Sequence, residues 1–415
     1  MTQPPQLGRE IAERIDILGA ISEMPDALTR IYLTPQHRAA ADQLMAWMRE
    51  AGMSAHLDAV GNVVGRYEGE MPGLPCLMLG SHYDTVRNAG KWDGPLGVIT
   101  AISCVGELNL QRKRFPFAIE VIGFADEEGV RFSSTLLGSR AIAGTFDERL
   151  LDAVDREGVT MRQALAAFGL DASKIKTAAR RRDDVLGYIE LHIEQGPVLE
   201  SLGSPVGLVT AISGATRLSI VFEGMAGHAG TVPMDQRRDA LAGAAESILA
   251  IETYCCSHEG LVGTVGQAIV APGATNVIPG KVSFTLDVRS GSDEQRRKAV
   301  EKLINKIEAI AAERSLTCHI ARTHDNRSVP CAPSTSLQIA NAIRQQGHAV
   351  HELPSGAGHD GMAIADICDI GMIFVRCRGG ISHHPDEHVE LSDVEAGARI
   401  LFETIANFNV SSKSG

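Results

Sequence analysis

Short, nearly unbroken apolar runs alternate with amphipathic stretches of helix length through the first half of the chain. Residues 74–79 and 117–124 read as strands buried on both faces. Residues 7–23 pattern as an amphipathic helix. A second helix starts after Thr34 as cap, with Pro35 at its first position, and stops before Gly52. Ala40, Leu44, Trp47 and Met48 form its apolar face. Strands are predicted at 54–58 and 62–67, and a helix at 95–110. Residues 147–185 are more polar and read as a charged, helical, peripheral segment; apolar character returns at 187–203. This alternation predicts an α/β domain with a central sheet flanked by helices.

The pattern changes in the middle of the chain. Strands are predicted at 217–223, 261–270, 281–289 and 316–323, with helices at 236–256 and 293–313. Within 281–289, Val282, Phe284, Leu286 and Val288 alternate with polar residues, as in a half-buried strand. Ser292 and Gln295 read as a capping box for the second helix, whose core face is Val300, Leu303, Ile304, Ile307 and Ile310. A strand–helix pattern then resumes, with helices at 335–346 and 392–409 and a strand at 371–376. The predicted organisation is a discontinuous α/β domain, 1–211 and 328–415, interrupted by an inserted α+β domain, 212–327.

Composition narrows the function classes. The chain has 415 residues, too many for one ordinary domain, and a net charge of −12. With 4% aromatic residues, that charge argues against nucleic-acid partners and anionic membranes. There is no apolar run long enough to span a bilayer and no signal-like N-terminus. Eight cysteines without a C-x-x-C pair fit buried thiols and a cytoplasmic location.

The chemistry concentrates where strands give way to loops. GSHYDTVRNAGKWDGPLG, 80–97, places His82, Asp84 and Asp93 after a buried strand, among glycines that let the backbone turn around a small centre. Glu127 and Glu128 follow the next buried strand. On an extended chain they point oppositely, which suggests one ligand and one free general base. A lone glutamate pair is ordinarily a solvated turn, and an isolated histidine such as His192 or His383 is ordinarily structural. Taken together, His82, Asp93, Glu128, His192 and His383 make a two-metal donor set of nitrogen and oxygen atoms, suited to zinc, manganese or cobalt. Asp84 is expected to orient the His82 ring. Whether His383 or His384 is the ligand stays open. Residues 356–360 are expected to open a helix whose amides face an anion.

SHYDTV, DGPLG, DEEG, ELHIEQG, AGHAGTVPM, TNVIPG, SGAGHD and GGISHHP, in order along nearly the whole chain, resemble the di-metal amidohydrolases of the hydantoinase/carbamoylase family. That family includes N-carbamoyl-L-amino-acid hydrolases, β-ureidopropionases and allantoate amidohydrolases, and is related to the co-catalytic metallo-exopeptidases. FVRCRGGISHHPDEH most resembles the allantoate and ureidoglycolate amidohydrolases. The resemblance implies a metallo-exopeptidase-like catalytic domain with a central mixed sheet, and an inserted domain serving as lid and homodimer contact. It implies two divalent ions per subunit, manganese or zinc with cobalt or nickel as further candidates, held by His82, Asp93 as bridge, Glu128, His192 and His383. Glu127 becomes the general base. His228, from a partner's lid, reaches the scissile carbonyl. Asn276 and Arg289 hold a substrate carboxylate, Gln195 and Arg217 lie near the substrate, and His359 is a weaker candidate for binding substrate or supporting a ligand from behind.

The expected activity is metal-dependent hydrolysis of a C–N bond in a small anionic ureido acid, allantoate first. N-carbamoyl-L-amino-acid hydrolysis and β-ureidopropionase activity are the alternatives. An aminoacylase or dipeptidase is more distant, as is a non-catalytic binding protein of the same fold, which would lack a ligand or the base.

Overall fold

A computed structural model describes residues 6–409. The chain divides into two compact units: residues 211–329 with 354–356 form one, and the remainder forms the other.

The larger unit is built on a nine-stranded mixed sheet. Its main path runs Ser54–Leu57, Val63–Tyr67, Ala118–Phe124, Cys76–His82, Val185–Ile193, Ile370–Val375, Val206–Ile212. Cys76–His82 lies parallel to both Ala118–Phe124 and Val185–Ile193, and Ile370–Val375 is parallel to Val185–Ile193. Every residue of Cys76–His82 and Ala118–Phe124 is buried, which is why both read as apolar runs without alternation. Because these strands are parallel, His82, the turn after Phe124, and His192 emerge at the same sheet edge.

Helices cover the sheet. Gly8–Gly19, Pro95–Leu110 and Leu391–Ala406 pack on one another, and Pro333–Gln345 packs on Ile370–Val375. Pro35–Glu50 packs on the two antiparallel strands at the sheet's start. The Thr34 hydroxyl accepts the His37 amide at its N-terminus, as the sequence predicts. Among the described residues no helix is long and apolar enough to cross a membrane.

The stretch 147–185 differs from expectation. It holds one α-helix, Met161–Phe168, and otherwise short 3₁₀ turns. Asp147, Asp155 and Asp171 each take the backbone amide two residues on. These side-chain bonds compete with the helical ladder and chop the segment into turns.

The smaller unit carries a five-stranded antiparallel sheet, Ala268–Ala271, Lys281–Ser290, Gly214–Glu223, Thr317–Asn326, with Leu261–Thr264 also on Lys281–Ser290. The strand expected at 261–270 is thus two strands. They pair with opposite ends of Lys281–Ser290, and the Gln267 amide between them bonds Thr285 Oγ1. Helices Ala240–Cys256 and Asp293–Glu313 close the core over Leu218, Ile220, Phe222, Val282, Phe284, Leu286 and Val288. Only half of the expected capping box forms. Ser292 accepts the Gln295 amide, but the Gln295 side chain turns away to Ser290 and the Glu259 carbonyl.

Candidate metal centre

His82 ends one central strand and His192 lies near the end of its neighbour, so their rings stand 5.7 Å apart. The loop after His82 returns Asp93 to them. Asp93 Oδ1 is 3.4 Å from His82 Nε2 and 3.2 Å from His192 Nε2. Its other oxygen is 3.3 Å from His383 Nε2, which is 3.4 Å from Glu128 Oε1. Gly94 makes the return possible. It sits at φ +81°, and a Cβ there would lie 2.5 Å from the His82 ring.

Hydrogen bonding sets the ring tautomers. His82 Nδ1 is 3.0 Å from the Asp84 carbonyl and His192 Nδ1 is 2.9 Å from the Ile193 carbonyl. With Nδ1–H donating to those carbonyls, each Nε2 presents a lone pair to Asp93. His192 Nε2 is buried and has no hydrogen-bond partner among the described residues. Side chains meeting at 3.2 to 3.4 Å fit ligands around a shared ion, since donors about 2.0–2.2 Å from a tetrahedral cation lie about 3.4 Å apart. Among the described residues four groups bring ligand atoms within 4.8 Å of one another: His82–Asp93–His192, Glu190–His192–His359, His82–Glu127–Glu128 and Asp93–Glu128–His383. Asp93 belongs to two of them, the arrangement a bridging carboxylate requires.

The electrostatics agree. Burial opposes a proton on His82, but Asp93, Glu127 and Asp84 outweigh it and hold the ring well above the ordinary histidine range. Asp93 and Glu128 push His383 up to about 10. Burial works against ionised Asp93, yet His192, His383 and His82 keep it well below the usual carboxylate range. Burial, then Glu128 and Asp360 against His82, raises Glu127 well above that range. A pocket with this excess of carboxylates calls for positive charge.

Several expected geometries differ. Glu127 and Glu128 do not diverge as on a strand. The strand ends at Phe124 and Asp126 turns left-handed at φ +56°, so both glutamates approach His82. Asp84 supports His82 through its backbone carbonyl. Its carboxylate instead accepts the amides of Glu127 (3.1 Å) and Glu128 (3.2 Å), fixing that turn. Gln195 donates to Asp93 Oδ2 at 2.7 Å. His359 is 1% exposed and stacks edge-on against His192 at 4.5 Å. The helix after it is only Gly361–Ile364, and its first amide goes to the buried Glu190 carboxylate rather than to an outside anion. Of the adjacent histidines, His383 reaches Asp93 and Glu128, while His384 turns to Asp386.

The remaining predicted residues form two groups within the smaller unit. Arg217 and Arg289 share Asp287, and Arg289 also donates to the Gly356 carbonyl at 2.8 Å. His228 pairs with Val277 in a two-residue ladder, and the next amide, Ala229, donates to the Asn276 carbonyl. That brings His228 and Asn276 side by side. Ser382 and Glu387 are residues the sequence reading missed. Both contact Asp93, Ser382 through its hydroxyl and Glu387 at the backbone amide. The only signal for them was their place in the same GISHHPDEH stretch.

The fold and this donor set define a class. The chain belongs to Peptidase family M20/M25/M40, whose model matches residues 78–407, and it is a hydrolase. Within that class it is 41% identical to allantoate deiminase of Arabidopsis thaliana, over 95% of this chain and 81% of that protein. It is equally 41% identical to N-carbamoyl-L-amino acid amidohydrolase of Geobacillus stearothermophilus, over 96% of this chain and 98% of that one. A hydantoinase/carbamoylase family amidase from Burkholderia multivorans superposes with a TM-score of 0.91 at 31% identity, covering 96% of this chain and 97% of that one.

Proposed function

We propose that the chain is a metal-dependent amidohydrolase that cleaves a C–N bond of a small ureido acid, allantoate first and N-carbamoyl-L-amino acids second. The observation that carries this reading is Asp93 shared between two clusters of ring nitrogens and carboxylates. His82, His192 and Asp93 would hold one divalent ion, manganese or zinc; Asp93, Glu128 and His383 would hold a second. Bound there, such ions polarise a carbonyl and lower the pKa of a water.

The protein's own residues supply the rest. Glu127, kept protonatable by burial and by its acidic neighbours, takes a proton from the attacking water and returns it to the departing nitrogen. Asp84 holds the base in place through its backbone amide. His228, supplied by the lid of a second copy of the chain, donates to the developing oxyanion. Arg289, a planar fork already aligned by Asp287, takes the substrate carboxylate with Asn276, and Arg217 lies beside it. We assign the smaller unit to lid and homodimer contact; its exposed Leu249, Val262 and Ile269 support that assignment.

Ammonia release from allantoate and a panel of N-carbamoyl-L-amino acids, with manganese or zinc added, tests the reading. Turnover of at least one ureido acid, lost in Glu127→Gln, is expected. No turnover of any ureido acid would sink it.

A further inference from the structure

Two segments that carry candidate ligands are tied together by one carboxylate that is not itself a candidate ligand. Glu387 is 4% exposed. Its Oε1 accepts the backbone amides of both Trp92 (2.8 Å) and Asp93 (3.0 Å). Its Oε2 lies 3.1 Å from Ser382 Oγ, and that hydroxyl also contacts Asp93 Oδ2. Gln195 donates to the same Asp93 oxygen at 2.7 Å. Gly90 makes the space: a Cβ there would meet Glu387 Oε1 at 2.3 Å.

The consequence is one of direction. Asp93 has to turn Oδ1 toward His82 and His192 while Oδ2 faces His383. A carboxylate on a free loop rotates about its terminal bond and holds no such division. Here Glu387 fixes the backbone from which Asp93 projects, and the donors at Oδ2 fix the plane of its carboxylate. Ser382 immediately precedes His383, so the same tie anchors the backbone that carries the imidazole.

We propose that Glu387 is a positioning residue for the metal centre, which through two backbone amides and the Ser382 hydroxyl sets the plane of the Asp93 carboxylate and the approach of His383. This rests on the reading of Asp93 and His383 as metal ligands. A carboxylate that only stabilised the loop would, when removed, lower the unfolding temperature and leave metal affinity unchanged.

The test is a cobalt(II) titration of the metal-stripped full-length protein, followed by visible absorption, with the unfolding midpoint of the metal-free protein measured alongside. Glu387→Ala is expected to weaken cobalt binding about ten- to a hundredfold and to shift the absorption band. Glu387→Gln is expected to stay within about threefold of wild type, because its amide oxygen still takes both backbone amides and its Nε2–H donates to Ser382. Ser382→Ala, with the backbone clamp intact, is expected to show a smaller loss in the same direction. Unaltered cobalt affinity and spectrum in Glu387→Ala would overturn the inference, and so would Glu387→Gln binding as weakly as Glu387→Ala. If Glu387→Ala does not fold, Ser382→Ala decides, since wild-type cobalt affinity and spectrum there also overturn it. Wild-type protein that takes up no cobalt overturns the metal reading itself, and this inference with it.

Discussion

His192 Nε2 faces Asp93 Oδ1 at 3.2 Å, both atoms buried, with the ring's other nitrogen bonded to the Ile193 carbonyl. A lone pair and a carboxylate oxygen at that distance repel unless positive charge lies between them. Replacing Asp93 by Asn keeps the shape and removes the shared charge. Elemental analysis of Asp93→Asn after metal loading and gel filtration is expected to show at most half the wild-type metal content, with activity lost. Full metal content in the variant would remove Asp93 from its bridging role.

Gly94 is the backbone counterpart of that contact. Any Cβ at φ +81° strains the turn and drives into the His82 ring 2.5 Å away. Gly94→Ala is expected to cost about 1–3 kcal/mol of stability and to weaken metal binding at the His82 side. Thermal unfolding with and without metal measures both. An unchanged midpoint together with unchanged metal affinity would show that the close approach is not needed.

Much of this was legible in the sequence because it is local. The unbroken apolar runs before His82 and before Glu127 announced buried parallel strands, and ligands belong at the ends of such strands. Alternation in 281–289 announced the one-sided sheet of the smaller unit. What escaped was long-range or conformational. Glu387 acts on Trp92 from 295 positions away, and nothing in local pattern encodes that partnership. The directions of Glu127 and Glu128 differ from expectation because alternation assumes an extended chain, and the left-handed Asp126 breaks it. The 147–185 segment looked helical by composition, but its aspartates bond their own backbone.

His37 gives the fold a pH dependence separate from the metal site. It is fully buried and stacks on Tyr83 at 4.2 Å. Burial, then Arg30 and Arg131, hold its pKa well below the ordinary histidine value. Below about pH 6.5 the unfolded chain takes a proton there that the folded chain refuses, so stability falls as pH drops, by up to about 1.4 kcal/mol per pH unit. Above that pH both states are neutral and the contribution is flat. Urea midpoints of metal-free protein between pH 7.5 and 5.5 are expected to fall less steeply in His37→Gln than in wild type, a window set by the ordinary histidine pKa of about 6.5. Parallel slopes would show that His37 titrates in the folded state.

Arg289 is held by both oxygens of Asp287 and is therefore pre-aligned for a carboxylate. Loss of a charge-assisted pair costs about 1.5–3 kcal/mol, so Arg289→Ala is expected to raise KM roughly ten- to a hundredfold with a smaller effect on kcat. Steady-state kinetics on the best substrate of the ureido panel measures this. Unchanged KM would take the substrate carboxylate away from Arg289.

The most direct measurement is ammonia release from allantoate by metal-stripped protein as manganese or zinc is added stepwise. No activity is expected without metal, and full activity only as the second equivalent per chain binds, as two clusters sharing Asp93 require. Full turnover in the presence of a chelator, or none on any ureido acid with both equivalents bound, would contradict a two-metal amidohydrolase.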